Sequence, residues 1–269
     1  MLLSKKQEIG SSILPLATKM FNLKKVIKAR KRINIITAVL FKLFQITLRY
    51  KEKRKDYGIE IFEYFYLPWK TDENFIQNFE LIKNHTLNPK SRLFTIYDMS
   101  KRYLRDNSSF VEVGCWKGGV SGLVSLENTH KEVDYYACDT FSGVTNSSEN
   151  DTFFKNNEYN DASISDVKEV EAISGQKLNI IKGIFPNSME KVNLNKPISF
   201  AHIDVDTYVS AKESLDYLLV KSIHGAVIVL DDYGGWFTDG VTKLGNELKS
   251  NKDLVVVPNH LGQLIIYKL

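Results

Sequence analysis

Four aspartates at the ends of two apolar segments are the residues of this sequence best suited to chemistry. Asp204 and Asp206 follow the apolar residues 198–203, and the pair Asp231–Asp232 follows the apolar residues 225–230. Each apolar segment has the length and composition of a buried strand. Because open α/β sheets bind ligands where their parallel strands end, we expect these acids to meet at one edge of a sheet.

Carboxylates clustered in this way repel one another, which raises their pKa values unless a cation neutralises them. Mg²⁺ prefers oxygen ligands and keeps coordination positions open for water or for substrate oxygens. We therefore predict that Asp204, Asp231 and Asp232 bind Mg²⁺ or another divalent cation. Asp204 is also the candidate catalytic residue that accepts a proton, and Asp206 is expected to support the ligands or to cap a helix. The alternative is that all these acids cap helices and bond loops.

A second chemical signal is the glycine-rich segment EVGCWKGGVS, residues 112–121. Its glycine spacing differs from the GxGxxG of dinucleotide sites and from a Walker loop. Glu112 stands just before the first glycine, where an acid would repel a pyrophosphate. The same acid suits the ammonium group of an amino-acid cofactor, as in S-adenosylmethionine. A plain tight turn is the alternative.

Five residues make up the predicted S-adenosylmethionine site: Glu112, Gly114, Gly118, Ser121 and Asp139. The glycines let the backbone approach the ligand closely. Ser121 is expected to bond the cofactor carboxylate near a helix N-terminus, where the helix dipole favours an anion. Asp139 ends the apolar segment 134–138 and is expected to bind the ribose hydroxyls.

The elements that position these residues alternate between apolar strands and helices, which predicts an α/β protein. The predicted strands cover residues 110–113, 134–138, 178–182, 198–203, 225–230, 254–257 and 264–267, the last two as an antiparallel hairpin. Helices are predicted over 92–105, 120–125, 164–174 and 210–219. The polar residues 142–162, with Phe153, Phe154 and Tyr159 among them, are interpreted as a lid over the substrate. His202 is expected to be a packed core residue, and His260 is a minor candidate for a base.

The first 56 residues differ in charge from the rest of the chain. They contain fifteen Lys and Arg and three Asp and Glu, a net charge of +12, whereas the remainder carries −8. Their basic segments flank an apolar stretch, residues 33–48, that would form an amphipathic helix. This stretch is too short to span a bilayer comfortably and too far from Met1 for a signal peptide. We expect the helix to pack on the main domain or on a second subunit of a homo-oligomer, or to lie on an anionic membrane through residues 24–55.

Length and composition indicate one large α/β domain with an appendage. We place a basic helical arm at residues 1–60 and the domain at residues 61–269. The two cysteines, Cys115 and Cys138, are too few for a disulfide framework, which favours reduced thiols and a cytoplasmic protein. A nucleic-acid partner is not expected, because the arm lacks interleaved aromatic residues and no nucleic-acid-binding motif follows it.

Five segments in combination resemble the macrocin O-methyltransferase family, the TylF/MycF-like class I methyltransferases. They are FVEVGCWKGGVS, CDTFSGV, KGIFPNSM, HIDVDTYVSAKESL and GAVIVLDDYG. The segment PWKTDENF and the region of Thr86, Leu87, Arg92 and Tyr97 are similar to the family's substrate lid. The resemblance extends over residues 65–269, and the basic arm has no counterpart in it.

The resemblance implies a Rossmann-like fold with a mostly parallel seven-stranded sheet, S-adenosylmethionine as cofactor and Mg²⁺. By matching positions it implies that Asp204, Asp231 and Asp232 hold the metal, and that Glu112, Gly114, Ser121 and Asp139 surround the cofactor. Relatives act on hydroxyls of sugars attached to natural products, which implies an O-methyltransferase acting on a sugar, glycan or small molecule.

Two other functional classes remain open on the sequence alone. A methyltransferase fold can serve as a non-catalytic binding or assembly protein at the membrane surface, although intact acids argue against this. A nicotinamide-dependent dehydrogenase is disfavoured by Glu112 and by the glycine spacing. The basic arm suggests an enzyme at the inner membrane face that modifies a surface glycan.

Overall fold

A computed structural model of the protein describes residues 67–127 and 129–269. The predicted arm, residues 1–60, lies outside these residues, so the arm and the domain boundary after residue 60 stay predictions. No helix among the described residues has the length and the hydropathy that are needed to cross a bilayer.

Seven strands of the described chain form one mixed sheet in the order β3-β2-β1-β4-β5-β7-β6. Strands β1 to β5 pair in parallel, while β7 runs antiparallel to both β5 and β6. The strands are β1 Ser109–Val113, β2 Asp134–Asp139, β3 Leu178–Lys182, β4 Ile198–Ile203, β5 Ser222–Asp231, β6 Leu254–Asn259 and β7 Gln263–Lys268. The predicted fold, a mostly parallel sheet with an antiparallel C-terminal hairpin, is confirmed.

Six α-helices connect or precede these strands within the described residues. They are α1 Glu73–Ile82, α2 Lys90–Tyr103, α3 Gly119–Glu127, α4 Ile164–Ser174, α5 Tyr208–Lys221 and α6 Asp239–Leu248. Helix α4 shows the local signals clearly, since Ser163 and Asp166 form a capping box and Gly175 ends the helix at φ 65°. Short 3₁₀ turns occur at Pro68–Lys70, Lys83–His85 and Asn187–Met189.

The core lies on both faces of the sheet, because alternate residues of each strand point to opposite sides. On one face, residues such as Phe110, Phe200 and Val229 pack with side chains from α1 to α4. On the other face, residues such as Val111, Ile203 and Leu230 pack with α5 and α6. The central strands β1 and β4 are therefore buried on both sides, which explains why their sequences are mostly continuous apolar runs, whereas the edge strands β3 and β6 are partly exposed.

Candidate active site

A cavity of about 260 Å³ opens at the carboxyl ends of β1, β2, β4 and β5. Its walls come from the loops that follow these strands, from residues 85–92 before and at the start of α2, and from the lid segment, residues 142–162. This is the edge at which open α/β sheets bind ligands. The sheet topology thus brings the glycine-rich segment and the aspartates together, as the sequence predicts.

Gly114 marks the closest approach between the loop after β1 and the end of β4. Its φ is 84°, and a Cβ at this position would overlap the carbonyl oxygen of Asp204. The Asp204 amide also donates to the carbonyl of Val113 at 2.9 Å. Gly114 lines the cavity, so the absence of a side chain serves both the backbone packing and the access of a ligand.

Glu112 and Ser121 form a buried pair beneath this loop. Both the amide and the hydroxyl of Ser121 donate to Oε2 of Glu112, and neither residue is more than 1% exposed. Ser121 is therefore bonded to Glu112, whereas the sequence predicted that it bonds the cofactor carboxylate. Glu112 borders the cavity and holds the first turn of α3 in place through these two bonds.

The second predicted glycine, Gly118, lies against α4 instead of the cavity. Its φ is 85°, and a Cβ there would come within 3.1 Å of a Val167 methyl group. Its neighbour Gly119 lines the cavity, where a Cβ would press on the carbonyl of His85. The two consecutive glycines thus have different roles, since Gly118 allows the turn and Gly119 leaves space at the cavity wall.

Asp139 ends β2 and lines the cavity, as expected for a residue that binds ribose. Its Oδ2 accepts the amide of Trp116 at 2.8 Å, and its Oδ1 accepts the amide of Phe141 at 2.7 Å. Burial raises the pKa of Asp139 above its usual value, and the backbone hydrogen bonds oppose this shift. These two hydrogen bonds fix the carboxylate at the cavity wall, with one oxygen bonded to the loop after β1 and the other to the loop after β2.

The aspartates after β4 and β5 come together at the other side of the cavity. Asp204, Asp206 and Asp232 line it, and the last two adopt left-handed backbone conformations at φ 63° and 69°. Such backbone conformations are uncommon for residues other than glycine and concentrate at functional sites. Asp206 was expected to support the ligands or to cap a helix, and its position on the cavity wall makes it a further acid–base candidate.

The pKa values of two of these acids are raised. Burial raises the pKa of Asp204 well above its usual range, and the charges of Asp232 and Asp231 raise it further. Burial and then Asp232 do the same to Asp206. The group therefore holds more negative charge than it can stabilise without a cation or a proton.

Asp231 lies just below this wall and is only 1% exposed. Its Oδ1 accepts a hydrogen bond from the side-chain amide Nε2 of Gln263 in β7, and its Oδ2 lies 3.4 Å from Nε2 of His202. Oxygen atoms of Asp204 and Asp231 and a ring nitrogen of His202 lie within 4.8 Å of one another. His202 is fully buried, as predicted for a core residue. Burial would lower its pKa, but contacts with Asp231 and Glu112 outweigh burial and raise it well above its usual value.

Two residues outside the predicted site bind the aspartates. Asn88 donates to Oδ2 of Asp204 at 2.9 Å, and Arg92 pairs with Oδ1 of Asp232 at 2.9 Å. Arg92 also donates through Nε to the carbonyl of Leu261 at 2.8 Å. From the sequence, Arg92 was expected only to belong to a segment similar to the family's substrate lid. Both contacts join residues more than one hundred positions apart, so local sequence gives no signal of them.

The three predicted metal ligands fit a hard cation in their donor chemistry. Each carboxylate has one oxygen held by a neighbour, namely Asn88, Gln263 or Arg92. Such outer contacts are what orients carboxylate ligands in metal sites. The buried Oδ2 of Asp231 lies 3.4 Å from Nε2 of His202 and makes no hydrogen bond of good geometry with the described residues. An oxygen left in this state, beside acids of raised pKa, suits Mg²⁺.

The lid segment folds back on itself beside the cavity. Val144 and Glu158 pair across it, with the Val144 amide donating to the Glu158 carbonyl at 2.8 Å. Asp151, which is 3% exposed, fastens the segment by accepting the Tyr208 amide at 2.9 Å. Tyr159 lines the cavity, and its pKa is raised by burial and then by Asp206 and Asp232. The segment therefore brings a phenol close to the acids.

The sheet order, the glycine-rich segment at the end of β1 and the acid at the end of β2 define a class I S-adenosylmethionine-dependent methyltransferase. A family model described as macrocin-O-methyltransferase (TylF) matches residues 82–259, about two thirds of the chain. The chain belongs to this family and is an S-adenosylmethionine-dependent O-methyltransferase. Family membership favours an enzyme over the non-catalytic protein considered as the alternative.

The fold is similar to that of a solved methyltransferase structure. The calicheamicin methyltransferase CalS11 superposes with a TM-score of 0.53 at 14% identity, over 79% of this chain and 99% of that chain. The O-methyltransferase NovP gives 0.48 at 18% identity, over 68% of this chain and 81% of that chain. An O-methyltransferase from Bacillus cereus in complex with SAH gives 0.49 at 12% identity, over 74% and 91%. No curated protein matches the chain by sequence.

Proposed function

We propose that this enzyme methylates a hydroxyl of a sugar, a glycan or another small molecule with the help of a divalent cation, Mg²⁺. Asp204, Asp231 and Asp232 would hold the cation. The observation that carries the proposal is the meeting of these carboxylates beside the cavity, with the pKa of Asp204 raised by burial and by the other two charges. A carboxylate cluster of this kind is stabilised when a cation binds to it.

The cofactor half of the site would be formed by Glu112, Gly114, Gly118, Ser121 and Asp139. Gly114 exposes backbone at the cavity, and Asp139 presents a carboxylate suited to ribose hydroxyls. Glu112, Ser121 and Gly118 would act by holding the loop in shape, since their contacts are within the protein. S-adenosylmethionine supplies the methyl group on a sulfonium centre.

The acceptor half of the site would use the aspartates. A bound Mg²⁺ would lower the pKa of a hydroxyl that coordinates it. Asp204 is proposed to accept the proton of the acceptor hydroxyl, because its carboxylate lines the cavity in which the acceptor would lie. Holding the hydroxyl in line with the methyl group would provide much of the rate enhancement.

The proposal is tested by methyl transfer from isotopically labelled S-adenosylmethionine to a panel of nucleotide sugars, glycans and small diols. We expect label on a hydroxyl of at least one acceptor, lost when EDTA removes divalent cations and restored by added Mg²⁺. Transfer at an unchanged rate in EDTA would disprove the role of the metal. Transfer only to nitrogen or carbon would disprove the choice of acceptor.

Variants of the aspartates separate the metal site from the cofactor site. We expect Asp232→Asn to lower the Mg²⁺-dependent rate by about 100-fold, since a ligand is lost. Its affinity for S-adenosylhomocysteine should stay within about threefold of wild type. Asp253→Asn is the matched control, because Asp253 is exposed before the start of β6. Equal rates in the two variants would remove Asp232 from the proposed metal site.

We also propose that residues 24–55 hold the enzyme at an anionic membrane surface, on the cytoplasmic side. The support is the net charge of +12 over the first 56 residues together with the amphipathic pattern of residues 33–48. A role of this segment in a homo-oligomer is the other outcome, and sedimentation of the full chain measures it.

A further inference from the structure

Three buried side chains form a continuous bridge through the middle of the sheet. Glu112 of β1 lies directly opposite His202 of β4, and His202 lies opposite Val229 of β5. Asp231 is two residues beyond Val229 and so points to the same face of the sheet. None of the three bridging residues is more than 1% exposed. A row of charged groups in an apolar core is costly unless its members bind one another.

The distances show that His202 serves both carboxylates at once. Its Nδ1 lies 3.4 Å from Oε1 of Glu112, and its Nε2 lies 3.4 Å from Oδ2 of Asp231. The other oxygens of the two acids are bound elsewhere, to Ser121 and to Gln263 respectively. Each carboxylate therefore has one oxygen fixed by its own surroundings and the other turned to the same imidazole.

Both His202 contacts lie at the limit of hydrogen-bond formation. The two ring nitrogens and the Oδ2 of Asp231 are buried, and none has a hydrogen bond of good geometry among the described residues. A shift of a few tenths of an ångström in either acid would therefore make or break a contact. Because the imidazole is rigid, a rotation that improves one contact must also change the other.

The two ends of the bridge belong to different halves of the site. Glu112 fixes Ser121 at the start of α3 and thus the glycine-rich segment. Asp231 is the buried member of the proposed cation site. We infer that His202 is a positioning residue that couples the two halves, so that occupation of the cofactor site tightens cation binding and the reverse. This inference rests on the proposed cation site.

The coupling is measured by calorimetry on the full chain with S-adenosylhomocysteine and Mg²⁺, which together give no turnover. In wild type, saturating Mg²⁺ should tighten S-adenosylhomocysteine by at least about fivefold, and S-adenosylhomocysteine should tighten Mg²⁺ by the same factor. A wild-type protein that binds both ligands with no mutual effect overturns the inference and leaves the proposed function intact. A wild-type protein that binds no Mg²⁺ overturns both.

Two substitutions of His202 each remove one of its two contacts. In His202→Asn, the side-chain amide nitrogen takes the place of the histidine Nδ1 and keeps the contact with Glu112. In His202→Gln, the longer side chain brings its amide nitrogen to the place of the histidine Nε2 and keeps the contact with Asp231. We expect coupling below about twofold in both variants. His202→Asn should lose mainly Mg²⁺ affinity, and His202→Gln should lose mainly S-adenosylhomocysteine affinity. A residue with only a packing role would not produce this crossed pattern.

The matched control is His224→Gln, because His224 is an exposed histidine near the start of β5. It should keep the wild-type coupling. Coupling of wild-type strength in both His202 variants overturns the inference. If the His202 variants do not fold, ¹⁵N-histidine-labelled wild type gives a second measurement. The ring N–H that exchanges most slowly with solvent is assigned to His202, which is fully buried. Its chemical shift must change when either ligand binds alone. A chemical shift that stays unchanged with one of the two ligands overturns the inference.

Discussion

At the scale of single residues, Gly114 shows how little freedom the site allows. Its positive φ and the Asp204 carbonyl that occupies the place of a Cβ leave no room for any side chain. We expect Gly114→Ala to lower the free energy of unfolding by about 2–4 kcal/mol through overlap and backbone strain. Chemical denaturation measures the change.

Gly175→Ala is the informative control for Gly114→Ala. Gly175 also has a positive φ, of 65°, but a Cβ there meets nothing within 4 Å. Its substitution should cost only about 1 kcal/mol, from the backbone conformation alone. Equal losses in the two variants would show that the approach to Asp204 is not what constrains Gly114.

Cys115 allows a test of local electrostatics by pH. Burial raises the pKa of this thiol well above its usual value, and the nearby charges of Glu112 and Asp139 raise it further. Since only the thiolate reacts with iodoacetamide, the folded protein should be alkylated at Cys115 far more slowly than the unfolded chain at about pH 8.5, the usual pKa of a free cysteine. Mass spectrometry after alkylation measures this, with the unfolded chain as the reactive reference. Rapid alkylation of the folded protein at pH 8 would contradict the assignment.

At the scale of elements, the lid segment depends on one buried acid. Asp151 accepts from the Tyr208 amide and from both the amide and hydroxyl of Ser148. Asp151→Ala leaves these donors without a partner, which should cost about 1–3 kcal/mol and free the segment. We expect faster limited proteolysis between residues 142 and 162 and a higher KM for the acceptor.

Glu149→Ala is the control for Asp151→Ala, because it removes an exposed acid from the same segment. It should leave the proteolysis rate and KM unchanged. A similar cleavage rate in both variants would mean that the segment is held by other contacts, such as those of Thr145 with Thr207 and Ser210.

The elements themselves were predicted to different degrees. The strands were found because burial on both faces gives continuous apolar runs, and β4 matches the predicted residues 198–203 at both ends. Helix α6 was missed because the two glycines of its sequence, DGVTKLGNEL, lower its helix propensity. Its buried residues Val241 and Leu244 are three positions apart, which is a helical spacing that the sequence already contained.

The positions of candidate site residues could be predicted where acidic residues stand at the ends of predicted strands. Asp139 and the acids after β4 and β5 could be placed because parallel strands end at a common edge. The roles of Ser121 and Gly118 were not predictable, because they depend on which neighbour each residue meets, Glu112 and Val167 respectively. Arg92 and Asn88 depend on tertiary contacts with residues more than one hundred positions away.

At the scale of the whole molecule, charge is distributed unevenly along the chain. The first 56 residues carry +12 and the remainder −8. We expect the full chain to bind anionic vesicles and to be released by salt, because lipid attraction of this kind is screened. Replacing Lys24, Lys25, Lys28 and Arg30 by glutamate should lower binding by at least about 100-fold, since the loss of four basic residues at about 1 kcal/mol each is about 1,000-fold before screening.

Vesicle co-sedimentation measures this binding, with neutral vesicles as the reference. The control replaces four exposed lysines of the domain by glutamate: Lys168, Lys177, Lys191 and Lys252. Equal loss in the two charge variants would indicate nonspecific attraction to the whole protein. Unchanged binding of the first variant would exclude the basic segment as the membrane contact.

The position of β7 has a consequence for the order in which the protein is made. This strand follows the other described strands in sequence, yet it lies between β5 and β6, and it brings Gln263 to Asp231. During synthesis, β6 therefore emerges from the ribosome before the strand that joins it to the sheet. Since a domain folds as a unit during synthesis, the buried acid acquires its side-chain amide partner only after β7 has been made. A nascent chain that ends before residue 263 has every proposed metal ligand but cannot hold Asp231 in position.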